Sequence, residues 1–224
     1  MTPDLDPEVL TATRRSLHRV AEHVLAASRK RATGDITLRP GAGGFRIPPL
    51  PDGSALAVVG TDLVVTGPAG ERRHPLRTVG QAAAFAGVPA GFPWTKHPPA
   101  TPFEPEAELV VDPDAAAALA GWFALGQQAL KALADELAAE EPTEPQIFPE
   151  HFDLGLTAGP VNYGFSPGDE SIAAPYVYIG PHELPPPGGA YWNAPFGAYR
   201  TWHEVADAQQ ALDFLRVGHA ALVG

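Results

Sequence analysis

Between Pro149 and Pro181 the chain reads PEHFDLGLTAGPVNYGFSPGDESIAAPYVYIGP, its densest run of residue types able to do chemistry. Gly164-Phe165-Ser166-Pro167-Gly168 has the letters of a nucleophile elbow, in which a serine on a sharp strand-to-helix turn attacks a carbonyl. The mechanics exclude that use. The residue after the serine must offer a backbone N–H to the oxyanion, and Pro167 has none. The residues that follow lead into another β-type run rather than a helix. Ser-Pro-Gly-Asp instead spells a type II turn, with proline second and glycine third.

Alternation is the stronger signal. In HFDLGLT, Phe152, Leu154 and Leu156 fall on one side and His151, Asp153 and Thr157 on the other. In VNYGF, Val161, Tyr163 and Phe165 alternate with Asn162 and Gly164, and in YVYI, Tyr176 and Tyr178 oppose Val177 and Ile179. This pattern predicts three neighbouring antiparallel strands, each with an apolar face toward helices. His151, Asp153, Asn162, Tyr176 and Tyr178 are then expected to line one polar face. A face of that make-up suits a small-molecule ligand, with tyrosines to stack and polar groups to orient it. The expected ligand is neutral or cationic rather than a phosphate, and the proline-rich loops are expected to rim the site.

His151-x-Asp153 also pairs an imidazole with a carboxylate, the start of a metal-assisted hydrolase. Two ligands do not hold an ion, so His182, Glu183, Asp169 or Glu170 would have to fold back to complete the set. No cofactor is expected. Elsewhere, His18 and Glu22 stand four apart on the first helix and read as a hydrogen-bonded pair, with His23 projecting from the other edge. His219 lies in the apolar stripe of the last helix and reads as a core histidine. Trp192, Asn193, Pro195 and Phe196 form an aromatic loop expected to pack on the core.

The elements that must position these groups are legible from capping and period. Asp6-Pro7 and Asp112-Pro113 each place a cap residue before a proline at the first helical position. Leu10, Leu17, Val20, Ala21, Val24 and Leu25 follow the first at helical spacing, and Thr33-Gly34 ends that helix. Leu119, Trp122, Phe123, Gly126, Leu130, Leu133 and Leu137 follow the second. A final helix begins near Asp207, with Ala211, Leu212, Leu215, His219 and Leu222 on one face. Between residues 35 and 76, DITL, FRI, ALAVV and LVV are β-type runs, and Gly60-Thr61-Asp62 reads as a hairpin turn. The glycine-rich GAGG sits between strands rather than before a helix, so it is not a phosphate cradle. A short helix is expected around residues 79–86, then a covering loop or linker over the proline-dense residues 87–106. The pattern predicts an α+β fold: an antiparallel sheet, or two small sheets, packed against three main helices. One compact unit with halves at 1–90 and 107–224 is expected.

Composition narrows the partners. The chain has 224 residues, no cysteine and a formal charge of −11. Residues 1–100 carry 12 Lys/Arg against 8 Asp/Glu, whereas residues 101–224 carry 3 against 18. An acidic half of that strength repels a phosphate backbone, so nucleic acid is not an expected partner. It leaves open a third reading, an acidic surface for a basic protein. No stretch is long and apolar enough for a membrane span, and a soluble cytoplasmic protein is expected. Oligomeric state is not legible.

The runs PEHFDLGLT, VNYGFSPGDE, PYVYIGP and YWNAPFGAYR together resemble a family of uncharacterised proteins from high-GC actinobacteria. Low lysine and abundant Ala, Pro, Gly and Arg agree with such a genome. The resemblance is firmest over residues 147–203 and looser over the first helix and RATGDITLRPGAGGF. It implies no activity, cofactor or catalytic residue.

Overall fold

Both Asp-Pro pairs open helices. In the computed structural model, which describes residues 5–89, 91, 98–183 and 186–223, the Asp6 side chain accepts from the Glu8 N–H at 2.8 Å. Asp112 Oδ1 likewise accepts from Asp114 N at 3.0 Å and Ala115 N at 2.9 Å. The cap carboxylates satisfy N–H groups that have no partner within the helix.

The chain is α+β, and its described residues form four helices and two antiparallel five-stranded sheets. It divides into two compact units, each assembled from non-contiguous stretches. Residues 90 and 92–97 of the expected covering loop lie outside the described residues, as do 184 and 185 of the later proline-rich run. Among the described residues, no helix is long and apolar enough to cross a membrane.

One unit comprises residues 4–121 and 147–152. Its first helix runs without a break through α1 (Pro7–Val20), a π-helical stretch (Ala21–Ala26) and α2 (Ala27–Thr33). A meander follows: β1 (Arg39–Gly41), β2 (Gly44–Arg46), β3 (Ala55–Val59), β4 (Asp62–Gly67) and β5 (Gly70–Pro75), each paired with the next. Val59 faces Asp62 across the expected hairpin. Strand β5, GERRHP, is a polar edge strand with no apolar side, which is why periodicity does not reveal it. Helix α3 (Val79–Ala86) and the start of α4 (Pro113–Glu136) complete the unit. Leu25, Leu38, Phe45, Ile47, Leu63 and Phe152 are fully buried in it.

The other unit contains Trp122–Gln146, which includes the rest of α4, and Asp153–Gly224. The second sheet runs in the order β10 (Ala198–Thr201), β9 (Tyr176–Pro181), β8 (Val161–Ser166), β7 (Asp153–Ala158), β6 (Gln146–Phe148). Register fixes its faces. Leu156 lies opposite Tyr163, Tyr163 opposite Ile179, and Ile179 opposite Ala198. This row and the row of Leu154, Phe165 and Val177 make one apolar face, and α4 and α5 (Ala208–Val223) supply helices to pack on it. A Cβ on Gly126 would lie 2.6 Å from the Phe165 ring, so this glycine lets the helix approach the sheet. Trp122 packs on the same ring at 5.1 Å and donates its indole N–H to Ser166 O at 2.8 Å.

Candidate functional site

The opposite face of that second sheet carries the chemistry. Asp153, Gly155, Asn162, Gly164, Tyr176, Tyr178 and Tyr199 all project from it, because each is out of phase with the apolar rows. One row crosses the sheet as Gly155, Gly164, Tyr178, Tyr199. The two glycines form a trough. A Cβ on Gly164 would sit 2.5 Å from ring atoms of Tyr178, so the phenol lies across β8 where a side chain would otherwise stand. Lying there, it reaches the next strand and donates its hydroxyl to Asp153 Oδ2 at 2.5 Å.

A second tyrosine–carboxylate pair stands beside the first. Tyr176 donates to Asp169 Oδ2 at 2.6 Å. Asp169 Oδ1 meanwhile accepts from Ser171 N at 2.6 Å and Ile172 N at 2.8 Å, which fixes the turn after β8. Burial first, and then the neighbouring carboxylate, hold both hydroxyls above the ordinary tyrosine range, so both phenols stay protonated. The two rings lie 6.0 Å apart. Tyr199 meets Tyr176 edge-on at 5.7 Å, and Phe196, from the loop before β10, lies 6.2 Å from Tyr178 and 6.4 Å from Tyr199. Phe196 is 37% exposed and Tyr178 and Tyr199 are half-buried, so the cluster has a wet side. Asn193 brackets Tyr199, accepting from its N–H at 2.9 Å and donating to its carbonyl at 3.2 Å.

Of the residues expected on this face, Asp153, Tyr176 and Tyr178 come together. Asn162 shares the face but stands exposed further along β8, where it accepts from Thr157 Oγ1 at 2.7 Å and lies 3.2 Å from His182 Nε2. His151 departs from the expected alternation. It sits exposed in a turn ahead of β7 and belongs to the other unit. The cause is Phe152, whose backbone adopts φ 53, a left-handed conformation that ends the turn and starts the strand only at Asp153. Phe152 gains a buried place in return, edge-on to Phe45 and stacked on His18, each at 5.2 Å. Among the described residues, no three His, Asp or Glu side chains are grouped so as to hold a metal ion.

Ser166 serves the turn. Its Oγ accepts from Gly168 N at 3.1 Å, and Gly168 takes the positive φ of 94 that a type II turn requires. On the apolar side, His219 is half-buried rather than sealed. It accepts at Nδ1 from the Tyr163 hydroxyl at 2.7 Å and pairs through Nε2 with Glu140 at 3.1 Å.

The first unit holds a buried polar cluster of its own. Glu22 and His23, on the π-helical stretch, are fully buried. Glu22 accepts from Ala100 N at 2.7 Å, from Thr101 N at 2.9 Å and from the Thr101 hydroxyl. His23 Nε2 lies 3.1 Å from Thr101 O, so one residue is gripped from both sides. Desolvation raises the Glu22 pKa and lowers that of His23. His18 does not form the expected hydrogen bond with Glu22. Its Nε2 is 3.8 Å from the carboxylate and donates instead to Pro149 O at 2.7 Å, and burial pulls its pKa down to about 4. These groups tie loops to the helix, with Glu22 and His23 fully buried and His18 half-buried. No protein-family model, curated protein or solved structure matches the chain.

Proposed function

We propose that this protein binds a small organic cation on the aromatic face formed by Tyr176, Tyr178, Phe196 and Tyr199. The observation that carries the reading is the pairing of a partly exposed ring cluster with two carboxylates, Asp153 and Asp169, each hydrogen-bonded to the hydroxyl of one of its tyrosines. An aromatic ring is negative on its face, and a cation within about 6 Å of the centroid gains roughly 0.5–1 kcal/mol at an exposed site and more when desolvated. Carboxylates at the hydroxyl ends of two of the rings add to that potential. The surrounding unit supports the same sign, with twelve Asp and Glu against three Lys and Arg. Of those three, Arg216 is already held by Glu136 and Asp213, and Arg200 lies over the Phe214 ring. Such a field enriches cations near the face and repels phosphates.

Calorimetric titration of the full chain with tetramethylammonium chloride at low ionic strength tests this. Saturable, millimolar binding is expected, and it is lost in a Phe196→Ala/Tyr199→Ala variant that still melts cooperatively. Binding unaffected by that variant, or no binding, would contradict the proposal.

A further inference from the structure

Building on the cation-binding reading, we infer that the face selects quaternary ammonium over ammonium groups that carry N–H, with a free trimethylammonium compound of the choline type as the ligand class. The reason is what the two carboxylates are already doing. Asp169 Oδ2 takes the Tyr176 hydroxyl, and its Oδ1 takes two backbone N–H groups of its own turn. Asp153 Oδ2 takes the Tyr178 hydroxyl, and its Oδ1 is sealed from solvent. Both tyrosine hydroxyls donate to these carboxylates. The ring cluster therefore offers an incoming cation faces and a field, while the carboxylate oxygens are already engaged by these donors or buried.

This arrangement treats the two kinds of cation differently. A primary ammonium is a compact, strongly hydrated charge with three donors. Docking on these rings strips water from it and returns no carboxylate hydrogen bond, which is the costly case of a desolvated, unpaired donor. A trimethylammonium group has no donor to satisfy. It spreads its charge over methyl groups that make apolar contact with the rings, and aromatic faces recognise such groups well. The tyrosine hydrogen bonds help it further. A phenol that donates to a carboxylate is polarised by it, which strengthens the negative potential of its ring.

The test compares choline with ethanolamine, the same skeleton bearing N–H, on the full chain by calorimetry. Choline is expected to bind at least tenfold more tightly. Ethanolamine binding as tightly as choline, with both lost in Phe196→Ala/Tyr199→Ala, would overturn the selectivity and leave the cation reading standing. Failure of both ligands to bind would remove both. Two further ligands separate the sources of affinity. 3,3-Dimethylbutanol, the uncharged isostere of choline, is expected to bind at least fivefold more weakly than choline, and equal binding would show that the charge is not recognised. Phosphocholine is also expected to bind more weakly, since its phosphate meets an acidic surface. Tighter phosphocholine binding would overturn the free-ligand assignment in favour of a lipid headgroup.

Discussion

Tyr178 and Asp153 are joined across an intervening strand: the phenol of β9 lies over Gly164 of β8 and delivers its hydroxyl to the carboxylate on β7, 2.5 Å away. The bond ties three strands together on the face opposite the core. It also sets the ring's tilt, and hence the surface shown to a ligand. Asp153 is only 8% exposed, so its charge depends on such partners.

Tyr178→Phe removes the donor and keeps the ring. The expected cost is roughly 1–3 kcal/mol, the penalty for depriving a buried acceptor of its hydrogen bond. Gly164→Ala attacks the same contact from beneath, because its Cβ would press on the ring, and overpacking of this kind costs about 1–3 kcal/mol. If one ring conformation underlies both losses, the double variant costs less than the sum of the two. Urea denaturation of the four proteins checks this, and strict additivity would show that Gly164 and the Tyr178 hydroxyl are independent.

Acid should weaken the other unit through its histidines. The His18 pKa is pulled down from 6.5 to about 4 by burial, with Arg14, His151 and His23 adding smaller charge repulsions. As pH falls, the unfolded chain binds that proton first. Stability from this group is therefore complete above pH 6.5, declines between 6.5 and 4, and levels off below. His23, also lowered, acts in the same direction. Glu22 acts against both, since its raised pKa lets the folded state take up a proton first. The His18 share amounts to about 3 kcal/mol at most. His18→Gln keeps a donor for Pro149 O and cannot titrate, so its stability should fall less steeply between pH 6.5 and 4 than that of the wild type. Equal slopes in chemical denaturation across that range would contradict the assignment.

Ser166→Ala should cost roughly 1–3 kcal/mol, because its buried hydroxyl accepts from Gly168 N and also hydrogen-bonds Tyr176. A fluorophosphonate probe should leave Ser166 unlabelled, because Pro167 has no N–H to stabilise an oxyanion. Labelling at Ser166 would reinstate the nucleophile that the turn geometry excludes.

Much of the tyrosine–carboxylate face was legible because strand alternation is a strict two-residue period. Once β7, β8 and β9 pair in order, Asp153, Asn162, Tyr176 and Tyr178 must share a side. His151 escaped that logic because one left-handed residue, Phe152, ends the period. Tyr199 and Phe196 were hidden differently. The strand AYRT is too short to show a period, and Phe196 reaches the face from a loop. Gly164 was the unread clue, since a glycine within an alternating strand marks a close approach by another group. In the first helix the buried pair at Glu22 and His23 was missed because the π-helical stretch closes its hydrogen bonds with a wider turn. Residues that a regular 3.6-residue period sets at opposite edges of the apolar stripe are thereby both buried.

The most direct test of cation binding at this face follows the N-methyl proton signal of choline as the full-length protein is added. A methyl group held over aromatic ring faces is shielded, so the account predicts a saturable upfield shift in the wild type, abolished by Phe196→Ala/Tyr199→Ala. An unshifted signal, or the same upfield shift with the double variant, would contradict it.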